Sequence, residues 1–177
     1  GIVWDIGDFD WGAEGLCVHI AEVGAIFTGG EPTILGSSTV SAGGAFEILG
    51  LQTDQSLGLL LLVDDCGEVE PLIPTALGIP PARFVDLEAG DYLGGLQVPA
   101  VDEAMAALMN QGLVLTGETD PDVVNSGAML GYVRQSNGVP IAGAEVECES
   151  LGAPCDSIYY GDNDISDGLF TQDDTLN

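Results

Sequence analysis

Residues 15–22 read GLCVHIAE, and their alternation decides the fold: Leu16, Val18 and Ile20 fall on one side, Cys17, His19 and Ala21 on the other. A period of two is that of a strand with one buried face. Further along, residues 57–66 read LGLLLLVDDC, a continuous apolar run that, as a strand, is buried on both sides and forms the centre of a first core. Between the two, residues 33–40 are β-compatible and rich in threonine and serine. Ser41, Gly43 and Gly44 then supply a turn, residues 45–49 a short strand and residues 50–56 a polar connection.

The remainder divides by composition. Pro71, Pro74, Pro80, Pro81 and Pro99 break the middle of the chain into short extended pieces. Within it, residues 101–111 read VDEAMAALMNQ, rich in helix formers, with Asp102 and Glu103 near the start and Gly112 just past the end, which predicts one short helix. Met105, Leu108 and Met109 are its packing residues. Strand signals resume at residues 128–134, a turn follows over residues 135–140 with Asn137 and Gly138 at its tip, and residues 144–148 make the next strand. Residues 156–177 are acidic and poor in large aliphatics. The expected organisation is a β-sandwich module over residues 1–70, a proline-containing connection with the helix over 71–126, and a second, incomplete module over 127–177.

Composition bounds the function. Apolar residues make up 46% of the 177-residue chain, enough to offset its ordering entropy, while 29 carboxylates face only Arg83 and Arg134 and give a net charge of −27. Such a field repels phosphate backbones and anionic headgroups, so nucleic acid and anionic membrane are not partners. It serves solubility in a salty or acidic medium, or it collects cations. The longest apolar run, residues 57–63, falls far short of the roughly 20 residues that cross a bilayer as a helix, so no transmembrane segment is expected. Gly1 in place of Met points to a trimmed start.

The four cysteines, Cys17, Cys66, Cys148 and Cys155, allow three pairings. Nearness along the chain favours Cys17 with Cys66 and Cys148 with Cys155, against four buried thiols. No CxxC is present and His19 is the only histidine, which argues against zinc. Disulfides imply an oxidising compartment.

Residues 131–146 read GYVRQSNGVPIAGAEV, in which Gly131, Val133, Gly138, Pro140, Ile141, Gly143, Ala144 and Val146 fall on one pattern. That pattern resembles the opening hairpin of the carboxypeptidase regulatory-like family, the transthyretin-like β-sandwich modules. A later strand of those modules, T-x-x-x-G-x-F-x-(I/L)-x-G-L, resembles residues 39–51, through Thr39, Gly43 or Gly44, Phe46, Ile48, Gly50 and Leu51. The resemblance covers residues 12–66 and 127–148. It implies a mainly β fold of transthyretin-like or immunoglobulin-like sandwich modules in a secreted or cell-surface setting, and it implies no active site. The second module stops before its T-x-x-x-G-x-F strand, so the expectation is either a longer parent chain or strands supplied by another subunit.

Candidate chemistry is sparse. Asp162, Asp164, Ser166 and Asp167 bring oxygen donors close together, as a calcium ion requires. They depart from the EF-hand loop, where glycine stands at the position of Asp167 and a glutamate closes the loop. Asp64, Asp65, Glu68 and Glu70 cluster around Cys66; Asp5, Asp8 and Asp10 lie beside Trp4, Phe9 and Trp11, aromatics that either cap a core or bind a sugar. No pair of carboxylates stands out as a glycosidase pair, and no GxSxG, HExxH or P-loop accompanies His19, which reads as a half-buried structural histidine in a strand. The expectation is therefore a non-catalytic extracellular structural or adhesive protein, self-associating or joined to other surface proteins, with copies completing one another's sheets into a filament or array and calcium in the contacts. The alternative is a carbohydrate- or ligand-binding module, with Trp4 and Trp11 as its platform, in a larger secreted protein.

Overall fold

The structure, a computed structural model, describes residues 1–5, 13–24, 30–52, 57–67, 72–126, 128, 141, 149–150, 153–154, 158, 160–161 and 170–171. The chain divides into two compact units, Gly1–Met105 and Ala106–Asn177. The hairpin at 131–146, apart from Ile141, and the oxygen donors at 162–167, Trp11, Cys148 and Cys155 lie outside the described residues.

The first unit is mainly β. Its strands are β1 (Ile2–Asp5), β2 (Cys17–Glu22), β3 (Ile34–Thr39), β4 (Leu59–Asp64), β5 (Leu72–Ile73), β6 (Thr75–Ile79) and β7 (Gln97–Asp102). A four-stranded antiparallel sheet has the order β3-β2-β4-β6, and a three-stranded sheet the order β1-β7-β5. In the latter, β1 runs parallel to β7, with Val3 opposite Val98. The alternating stretch at 15–22 and the apolar run at 57–66 become β2 and β4, the inner pair of the larger sheet.

Register follows the hydrophobic pattern. Val18 faces Val63 and Ile20 faces Leu61 across the β2–β4 ladder, and all four are buried. From the other sheet, Val3 and Val98 join the same core cluster. Each such side chain contributes on the order of 1.5–3 kcal/mol when fully buried. Among the described residues no polar or charged side chain is buried, so the core carries no unpaired polar group.

The proline-rich pieces form three strands. Residues 72–79 make one extended passage interrupted at Pro74, with β5 pairing β7 on one side of the break and β6 pairing β4 on the other. Proline has no N–H to give a ladder, which suits it to the point where the chain changes sheets. Thr75 reinforces the crossing by donating its hydroxyl to Pro99 O at 2.7 Å. Gly58, at φ +80, sits so close to Ile79 O that a Cβ would lie 2.3 Å from it, and only glycine enters β4 this way.

One expected strand is reduced to a bridge. Residues 45–49 make a single bridge to β1, Ala45 to Ile2, flanked by the bonds Val3 N–H to Gly44 O and Phe46 N–H to Gly1 O. Beyond it, Ile48 and Leu51 turn onto the core instead of extending the ladder.

Helix α1 spans Glu103–Leu115, starting later and ending later than 101–111. Val101 and Asp102 remain in β7, and Asp102 Oδ1 caps the helix by accepting from Met105 N at 2.6 Å. The helix passes through Gly112 and stops at Gly117, whose φ of +103 lets Glu118 N–H reach Leu113 O and Gly117 N–H reach Val114 O. Met105 is buried; Leu108 and Met109 are half-buried. A short helix α2, Val123–Ser126, follows, its first turn capped by Asp122, which accepts from both the backbone and side-chain amides of Asn125. These bonds hold the Asp122 carboxyl below its ordinary pKa.

Leu61 is completely buried at the middle of β4. Leu61→Ala is expected to lower stability by about 2–5 kcal/mol, read from the midpoint of denaturant unfolding at an unchanged slope.

Candidate functional site

The outward face of β2 carries the chemistry. Because Val18 and Ile20 point into the core, Cys17 and His19 point the other way. His19 stands opposite Ser37 of β3 and opposite Leu62 of β4, and Cys17 stands opposite Asp64. His19 and Ser37 are thus direct cross-strand neighbours, and His19 and Asp64 diagonal ones.

The distances complete the arrangement. His19 Nδ1 lies 2.7 Å from Ser37 Oγ, and His19 Nε2 lies 3.1 Å from Asp64 Oδ2. The other carboxylate oxygen, Oδ1, accepts the Cys66 backbone N–H at 2.8 Å. Cys66 is joined to Cys17 by a disulfide, with S–S 2.02 Å and Cα–Cα 5.1 Å. Cys66 has φ +57, in the left-handed region, and Asp65 Oδ1 holds the next residue by accepting from Gly67 N. The His19 side chain is 23% exposed and that of Asp64 41%.

The Cys17–Cys66 pairing expected from nearness along the chain is present. Cys17, Asp64 and Cys66 present donor atoms within 4.8 Å of one another, but both sulfurs are consumed in the disulfide and are not thiolate ligands. Trp4 lies in β1, opposite Pro99. Ser37 and Asp64 as partners of His19 were not evident from the sequence. The outward phase of each strand was readable, but the register that brings Ser37 and Asp64 to one imidazole was not. Among the described residues no helix is long and apolar enough to cross a membrane.

Comparison with known protein families, curated proteins and solved structures gave no match.

The disulfide closes a loop between positions 49 apart, a cross-link worth about 4 kcal/mol by loop entropy. Replacing both cysteines, Cys17→Ser with Cys66→Ser, is expected to lower unfolding stability by about 2–4 kcal/mol in denaturant titration.

Proposed function

We propose that this chain is a secreted or cell-surface structural or adhesive protein, built of transthyretin-like sandwich modules, whose copies associate by adding strands to one another's sheets. The observation that carries this reading is the edge at β3. The strand ends its sheet, bonds to β2 on one side, and reads ILGSST, without a single charge in a chain of net charge −27. Ile34 and Leu35 are 47% and 38% exposed on it. An uncharged edge presents unpaired N–H and C=O groups to another strand. β6, at the opposite end of the same sheet, runs on through Pro74 into β5 of the second sheet, whereas among the described residues β3 ends its sheet with no such connection to another strand of the first unit.

Other features support the module and its setting. In the T-x-x-x-G-x-F stretch, Gly43 and Gly44 turn the chain at positive φ, Phe46 is buried in the core, and Ile48 and Leu51 pack against it. Side chains from both sheets meet in one cluster, the packing of a sandwich. The Cys17–Cys66 bridge fits an oxidising, extracellular compartment. The carboxylates oppose close approach of copies unless salt or a cation such as calcium screens them.

Light scattering and electron microscopy, with calcium and then with a chelator, are expected to show polymers or fixed oligomers that dissociate on chelation. Leu35→Lys, a charge on the open edge, is expected to abolish them while leaving the unfolding transition within about 0.5 kcal/mol, as for an ordinary surface substitution. A compact monomer under every condition would overturn the proposal.

A further inference from the structure

The trio on the larger sheet carries more than cross-strand cohesion. We propose that Ser37 is an acyl-accepting nucleophile, with His19 as its base and Asp64 as the residue that positions the base, and that it takes an acyl group from an activated carboxylic ester.

The imidazole is held at both nitrogens. Asp64 Oδ2, at 3.1 Å, accepts the proton of Nε2, which leaves the lone pair of Nδ1 directed at Ser37 Oγ, 2.7 Å away. A hydroxyl, a base and an orienting carboxylate in hydrogen-bonded sequence are the components of an activated nucleophile. Asp64 is itself fixed, its Oδ1 taking the N–H of Cys66, and Cys66 is tethered through the disulfide to Cys17, two residues before His19 on the same strand. The Asp64 end of the trio is therefore anchored to the main chain and, through it, to a covalent bond.

The ladder adds an oxyanion donor. Val40 N–H donates to Leu16 O at 2.8 Å, which sets the phase of the β2–β3 pairing. By the alternation of antiparallel ladders, Val18 with Ser38 and Ile20 with Gly36 exchange main-chain bonds, and His19 with Ser37 forms the closer, non-hydrogen-bonded pair between them. That position brings the two side chains together and turns Ser37 N–H away from β2, off the open edge. There it faces the oxygen of an acyl group arriving at Ser37, which is exposed.

The step balances without another reactant. A bond forms between Ser37 Oγ and the acyl carbon, the ester C–O bond breaks, and the Ser37 hydroxyl proton passes to His19 Nδ1 and on to the departing alkoxide. The products are the O-acylated chain and an alcohol.

A fluorophosphonate probe tests the site on the full-length chain, in the monomer fraction from size exclusion so that the result does not depend on assembly. The Oγ–P bond forms as fluoride leaves, and peptide mass spectrometry locates the adduct. Labelling is expected on Ser37, absent in Ser37→Ala, slowed at least about 100-fold in His19→Ala and restored there by added imidazole. Asp64→Asn is expected to slow it more than about tenfold, and Asp64→Glu to retain most of the rate. An intact Cys17–Cys66 disulfide and an unchanged circular dichroism spectrum identify variants that remain folded. Labelling of Ser37 no faster than in the urea-unfolded chain, or an undiminished rate in folded His19→Ala, would overturn the proposal.

Discussion

The antiparallel pairing of β2 with β4 is the constraint on which the rest of the first unit depends. Its inner pairs, Val18 with Val63 and Ile20 with Leu61, form the middle of the core, and its outer positions hold Cys17, His19 and Asp64. A slip of one residue would send every one of these side chains to the opposite face. Two independent forces oppose that slip. Burial penalises it on the inside, and the Cys17–Cys66 bond forbids it on the outside, since Cys66 reaches Cys17 only when Asp64 stands opposite Cys17. The cross-link therefore fixes the position of Asp64 as well as restricting the unfolded chain.

The charge imbalance shapes where everything else goes. With 29 carboxylates and two arginines, salt bridges cannot neutralise the chain, and burying even a few unpaired carboxylates would cost more than a marginal fold can supply. The described core is accordingly apolar throughout, and the carboxylates among the described residues lie at half-buried or exposed positions. Arg83 spends one guanidinium nitrogen on Gly94 O, at 2.9 Å, bracing the connection between the 3₁₀ turn Pro81–Arg83 and β7. The single histidine takes Asp64. A chain organised this way has repulsion spread over its surface and two uncharged strands, β3 and β6, at the ends of its larger sheet.

Much of this was legible because a period of two is a direct image of the strand. Residues 15–22 announced β2 by alternation and residues 57–66 announced β4 by a continuous apolar run, while residues 33–40 announced β3 by a β-compatible composition rich in threonine and serine. The prolines were read as breaking this segment into short extended pieces, and those pieces are the strands β5, β6 and β7: Pro74 falls between two strands, and Pro99 is paired with β1 on one side while β5 reaches only Val101 and Asp102 on the other. The helix was placed by its composition, and its end was misjudged because Gly112 stays helical while Gly117 adopts the left-handed turn. Nothing local distinguishes two such glycines until the following amides find their carbonyls. The functional trio was hidden for a different reason. Ser37 and Asp64 lie 18 and 45 residues after their common partner His19, and they meet it only through a register that spans three strands, which is a property of the folded sheet.

Ser37 has two attributes that point in perpendicular directions. Its main-chain N–H lies in the plane of the sheet and faces the open edge, while its hydroxyl stands out of that plane beside His19. A strand added at β3 would occupy the first direction and leave the second open. The same added strand would take up the N–H that the acyl oxygen needs, so pairing at the edge and acyl transfer compete for one hydrogen-bond donor and not for space. Association through β3 would then protect Ser37 from acylation, and acylated Ser37 would still be able to pair, because an ester oxygen formed at Oγ no longer requires the main-chain donor that stabilised its formation.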